Sequence, residues 1–162
     1  MPKNTIPKTA GIHFLPVEHE GNTQGSPEEV ATISRLIEDL IGCRFWSGNT
    51  ITWEDILLVA PYNYQVNLLR SALPSEARIG TVDRFQGQEA PIVIISMCTS
   101  DASESPRGID FLFSKNRLNV ALSRAQSLAI LVGSPTLAST QVNNLRQMEL
   151  VNFYSEITEA YS

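Results

Sequence analysis

Three apolar runs restrict what this chain can fold into. "DILLVAP", "PIVIISM" and "SLAILVGS" are short, rich in β-branched residues, and carry no polar position every second residue. A strand with one wet face alternates; a strand without alternation is covered on both faces. Between them lie segments of helical period. In "SPEEVATISRLIEDLIG", Ser26 suits an N-cap, Pro27 the first helical position, Glu29 a capping box, and Gly42 the stop. Val30, Ile33, Ile37, Leu40 and Ile41 make its apolar stripe.

Further segments complete an alternating pattern. "GIHFLPV" predicts a strand over 11–17, a second helix spans about 63–73, and "RIGTV" reads as a short strand. "LFSKNRLNVALSRA" predicts a helix capped by Ser114, and 142–161 a last one with Leu145, Met148, Val151 and Ile157 as core contacts. Alternation with fully apolar strands predicts an α/β fold, a parallel sheet with helices on both faces. Residues 1–10 read as a linker, native or added, and 11–162 as one domain. Ligands of such sheets bind beyond the carboxyl ends of the strands, so "PYNYQ", "VDRFQGQE", "CTSD" and "SPT" are the segments to search.

Charge narrows the function. With 17 acidic against 12 basic residues the net charge is −5, which argues against gripping nucleic acid through a broad basic face. A narrower grip by backbone amides and a few polar side chains is compatible with it. Cys43 and Cys98 are far apart, without a histidine–cysteine cluster, so neither a metal site nor a disulfide framework is expected and a reducing cytoplasm is. No apolar run is long enough for a membrane span.

Three constellations could carry chemistry. In "TVDRFQGQE" Gly87 allows close backbone approach to an anion, Glu89 could hold a hydroxyl or a metal-bound water, and Gln86 and Gln88 add neutral polar contacts. The alternative is a solvated turn. In "NRLNVALSRA", Leu118, Ala121, Leu122 and Ala125 form a narrow helical stripe. Arg117 and Arg124 flank it, placed to reach a phosphate or to cover apolar surface with their stems. In "APYNYQ", Tyr62 and Tyr64 stand at a strand-to-helix junction where a ring could stack on a base or pack inward, with Gln65 beside them. His13 and His19 have no evident catalytic partner, and no G-x-S-x-G occurs.

Together these segments resemble the second RecA-like domain of superfamily 1 helicases, in the branch of the nonsense-mediated-decay RNA helicase and its DNA-processing relatives. "ILLVAPYNYQ" is similar to motif IV, "TVDRFQGQE" to motif V and "RLNVALSRA" to motif VI, in the family's order across 11–135. The resemblance implies an RecA-like, P-loop-NTPase-type fold, with Arg124 as arginine finger toward the γ-phosphate of ATP. It further implies Gln86, Gly87, Glu89 and Arg117 on the nucleotide side, and Thr81, Tyr62 and Gln65 on the track of single-stranded DNA or RNA. No G-x-x-x-x-G-K-[ST] and no strand-ending Asp-Glu occurs in the sequence. ATP and Mg²⁺ would therefore be bound mainly by a Walker-bearing first RecA-like domain of the parent. That parent resembles a bacterial fusion of a RecB-like nuclease and a helicase. Two other readings stand beside this one: a degenerate RecA-like scaffolding module, and a self-contained enzyme for a small phosphorylated ligand.

Overall fold

A computed structural model describes residues 5–6, 11–45, 47–85, 87–100 and 120–139, together with 145, 148 and 149. In chain order the elements are β1 (Thr5–Ile6), β2 (Gly11–Pro16), α1 (Pro27–Leu40), β3 (Arg44–Phe45), β4 (Ile56–Val59), α2 (Asn63–Ala72), β5 (Arg78–Gly80), β6 (Ala90–Ser96) and β7 (Ala125–Gly133). Strands β1 and β3 form a small parallel pair, and the other five make one sheet in the order β2-β7-β6-β4-β5. Every neighbouring pair in that sheet is parallel. This is the parallel α/β sheet that the alternation predicts, with the RecA-like architecture that the resemblance implies.

The absence of alternation in the central strands has the expected cause. In β6, Val93 and Ile95 face a core with Phe14, Phe85 and Leu131, while Ile92 and Ile94 face another with Ile33, Ile37 and Leu69. The second core lies under α1 and α2. The first is closed by the 3₁₀ turn Val82–Phe85, by Ala121 and by Leu137. With no wet face on the strand, a polar residue there needs a buried hydrogen-bond partner.

Helix α1 starts as expected in one half only. Ser26 Oγ accepts from the Glu29 N–H at 3.1 Å, with Pro27 in the first turn. The reciprocal half of the capping box is not made, because the Ser26 N–H donates to Gln65 Oε1 at 2.8 Å and the Glu29 side chain points into the core. A residue of α2 thus supplies the acceptor that local sequence assigned to Glu29.

Two expectations fail at the far end of the chain. Residues 120–123 are helical, but the chain turns at Arg124 and Ala125 already pairs with Ala90 in β7, so the helix does not extend to 125. Leu145 and Met148 are 70% and 46% exposed, not core contacts. Apolar spacing marks a face; it does not say what covers it. The remaining residues of both expected helices, including Ser114, Leu118, Val151 and Ile157, lie outside the described residues.

Burial separates the two classes of apolar residue quantitatively. Ile94→Ala, at a fully buried position, is expected to cost about 2–5 kcal/mol. Leu145→Ala, on the surface, should change stability by less than about 0.5 kcal/mol. Urea midpoints at constant m-value distinguish them.

Candidate functional site

The turn after β5 does not stay where it begins. Gly80 is level with Val59 and so with Ile95, near the carboxyl end of the sheet. Residue 90 begins β6 at the amino end. The intervening turn, Val82–Phe85, therefore crosses the sheet with Phe85 buried in the core beneath it. Thr81, half-buried, stands at the carboxyl end, its carbonyl accepting from Arg84 N–H at 3.1 Å. Gly87, Gln88 and Glu89 stand exposed at the amino end. The expectation that this whole segment borders the carboxyl ends is corrected: Thr81 does, and the glycine turn does not.

The amino-end rim gathers two of the three expected constellations. The Ala90 N–H donates to the Arg124 carbonyl at 3.0 Å, and Ala90 is in register with Ala125. Gly87, three positions before Ala90, and Arg124 thus share one edge. Gly87 has φ +78°, a conformation that costs other L-residues about 1–2 kcal/mol. Gln88 Oε1 accepts from Arg78 Nη2 at 2.8 Å, and Glu89 Oε2 accepts from Gln126 Nε2 at 3.4 Å. Arg124 is half-buried; its Nε is buried, with no hydrogen-bond partner among the described residues. Leaving such a donor unpaired costs about 1–3 kcal/mol. Because Arg124 follows the helical residues 120–123, its position comes from the strand register. Gln86 and Arg117 lie outside the described residues.

The motif IV residues turn inward. Tyr62 is 7% exposed and packs in the first core, which is at odds with stacking on a base. Tyr64 is the exposed ring of the pair, and it lies against Gly25, where a Cβ would collide with it. Gln65 is fully buried: Oε1 takes the Ser26 N–H, and Nε2 donates to Ser96 Oγ at 2.9 Å. It clamps α1, α2 and β6 together, so a track-facing role for either Tyr62 or Gln65 does not fit their burial.

Sequence reasoning missed a polar network at the carboxyl end. Glu29, fully buried, accepts from Ser96 Oγ at 2.8 Å and from the Cys98 N–H at 3.1 Å to each oxygen. His19 Nε2 lies 2.6 Å from Glu29 Oε2, and its Nδ1 lies 2.6 Å from Ser100 Oγ. A serine, an imidazole and a carboxylate in line suggest a hydrolytic relay. The His19 and Glu29 side chains have no exposed surface, however, so no substrate reaches the imidazole, and the network is structural. It holds Cys98 at φ +56°, a left-handed conformation for a side-chain-bearing residue. The two bonds from its N–H to the carboxylate offset that strain. Burial, with Glu29 close by, pushes the Cys98 thiol well above its usual value. The available signal was Ser96, a polar residue ending an otherwise apolar run.

Fold and rim together define a RecA-like domain in which the Gly87 turn and Arg124 meet at one edge. Residues 11–136 match the AAA domain family, and the chain belongs to it. It is a helicase-type domain of superfamily 1. It is similar to DNA-binding protein SMUBP-2 of Mus musculus, 34% identical over 154 residues that cover 91% of this chain and 14% of that protein. Probable RNA helicase armi of Drosophila melanogaster is 39% identical over 148 residues, 82% of this chain and 12% of the relative. DNA replication ATP-dependent helicase/nuclease JHS1 of Arabidopsis thaliana is 31% identical over 114 residues, 70% of this chain and 8% of the relative. The chain thus spans 14% or less of the length of these relatives.

Two consequences can be measured. At Gly87 nothing lies within 4 Å of an added Cβ, so Gly87→Ala should cost about 1 kcal/mol from backbone conformation alone, and Gly87→Asn less. Equal losses for both in denaturant unfolding would contradict this. A disulfide reagent should label half-buried Cys43 in the native protein and leave buried Cys98 unmodified until unfolding; mass spectrometry of the labelled peptides decides.

Proposed function

We propose that this chain is the second motor domain of an ATP-dependent nucleic-acid helicase. Arg124 serves as the arginine finger and the Gly87–Glu89 turn lines the same ATP cleft. The observation that carries the reading is the Arg124 Nε, buried and unpartnered among the described residues, on the rim that also bears Gly87. A half-buried guanidinium beside an exposed left-handed glycine suits phosphate oxygens. Mg²⁺ prefers a shell of oxygen ligands, and Glu89 is the one carboxylate in the Gly87–Ala90 turn. In this reading the metal and most of the ATP contacts come from a Walker-bearing first domain, and Gln86 and Arg117 complete the nucleotide side.

Thr81, at the opposite end of the crossing turn, would face single-stranded DNA or RNA. The segment anchored by buried Phe85 then links a nucleic-acid contact at one end of the sheet to a nucleotide contact about 16 Å away at the other. Closure of the cleft on ATP moves both ends together, which couples hydrolysis to grip. The names of the relatives, which include DNA-binding protein SMUBP-2 and Probable RNA helicase armi, support a nucleic-acid partner without choosing its sugar.

The isolated chain should then turn over ATP negligibly. In the parent protein, Arg124→Ala should lower nucleic-acid-stimulated ATPase on the order of 10³-fold, the lower range for an arginine finger. Arg124→Lys should rescue little, since a point charge does not reproduce the guanidinium fork. Full ATPase activity in the Arg124→Ala parent would defeat the assignment and favour a scaffolding module.

A further inference from the structure

A second phosphate-seeking surface adjoins the Arg124 rim through Gln88 and runs along the edge strand β5. The last turn of α2, the edge strand β5 and the 3₁₀ turn Val82–Phe85 each contribute one arginine to a groove of about 900 Å³. Arg70 Nη2 donates to the Ile79 carbonyl at 3.1 Å. Arg78 divides its fork between the Glu54 carbonyl at 2.9 Å and Gln88 Oε1 at 2.8 Å. The Arg84 stem lies over the α-carbon of Gly80, where a Cβ would collide with it, so glycine there makes room for the stem.

Each of these partners is neutral. Among the described residues none of the three guanidiniums forms an ion pair with a carboxylate, and Glu76 is the one acidic residue lining the groove. Three cations collected from three elements, against one acid, stand out on a chain whose net charge is −5. Arg70 and Arg84 are exposed. Such forks bind phosphate oxygens well. Phe85, the aromatic that borders the groove, is 5% exposed and cannot stack on a base. Recognition here would read the backbone and not the bases.

We propose that this groove binds the phosphodiester backbone of single-stranded nucleic acid through Arg70, Arg78 and Arg84. The inference rests on the motor-domain reading and adds Arg70 of α2 and Arg78 of β5, which lie outside the three motif segments, to Arg84 of the "TVDRFQGQE" segment. Because Arg84 belongs to the turn whose first carbonyl is that of Thr81, the strand would pass from Thr81 along the outer edge of β5. An acidic peptide is the competing occupant. The shape favours the polynucleotide: an open groove with cations spaced along one strand edge suits a uniformly spaced chain of phosphates.

The test is anisotropy of a fluorescein-labelled oligothymidylate with the full chain, titrated between about 50 and 200 mM salt. Each phosphate neutralised on a single strand contributes roughly 0.7 to the slope of log K against log salt concentration. Arg84→Ala and Arg70→Ala should each flatten that slope by about 0.7, and Arg84→Lys should retain it. Arg35→Ala, exposed on α1, should leave it unchanged. Circular dichroism and thermal midpoints check that each variant folds. Equal slopes for wild type, Arg70→Ala and Arg84→Ala would overturn the proposal, as would no oligonucleotide binding at all. Displacement of the oligonucleotide by polyglutamate at equal charge would also overturn it, in favour of an acidic peptide. Unchanged slopes with an inactive Arg124→Ala parent would sink the groove alone; flattened slopes with a fully active Arg124→Ala parent would sink the nucleotide-cleft reading instead.

Discussion

The hydrogen bond from Ala90 N–H to the Arg124 carbonyl is what everything at the rim depends on. It opens the β6–β7 ladder, and the pairing shifts once between Ala90 and Ile92 before running regularly to Ser96 and Val132. A slip of one residue would turn Ile92 and Ile94 out of one core and into the other. Burial on both faces forbids that slip, so hydrophobic packing some distance from the rim dictates where Arg124 leaves the helix. The geometry of a charged group at the surface is thus inherited from the least charged part of the molecule.

The two ends of the sheet are built differently. At the carboxyl end, Glu29, His19, Gln65 and Ser96 satisfy one another in a closed network without solvent access. Such a network, once complete, specifies one arrangement of α1, α2, β6 and the loop bearing His19, since any displacement strands a buried polar atom. At the amino end, by contrast, Gly87, Gln88 and Glu89 are exposed, and Arg124 keeps a buried donor without a partner among the described residues. One end is finished; the other carries unused hydrogen-bonding capacity, as befits a surface that meets something else. Arg78 links this rim to the edge groove, because its fork touches Gln88 and the Glu54 carbonyl at once.

Much of the fold was legible because its determinants are local. Uninterrupted apolar runs gave β4, β6 and β7, and the Ser26–Pro27 start with a period of 3.6 gave α1. The motif residues Gly87, Glu89 and Arg124 were legible as residues worth watching. Their meeting at one rim was an expectation drawn from resemblance, and the Ala90–Arg124 bond supplies the geometry. What misled were positions where several roles suit one residue type. Tyr62 and Tyr64 are two apart, and the sequence offers no reason for the first to be buried and the second exposed. Glu29 fits a capping box and also fits a buried anchor. Leu145 and Met148 have core spacing and surface positions.

The sequence by itself determined which segments are strands and helices, and that the central strands are covered on both faces. Those features follow from the period of apolar residues, which neighbours along the chain set among themselves. Only the tertiary structure decided that Gln65 replaces Glu29 at the Ser26 cap, and that the crossing turn carries Gly87 away from Thr81 to the opposite end of the sheet. It also decided that three arginines from separate elements line one groove. These depend on partners distant in the chain, where a hydrogen bond of a few ångströms is selected by packing and register and leaves no periodic trace in the order of residues.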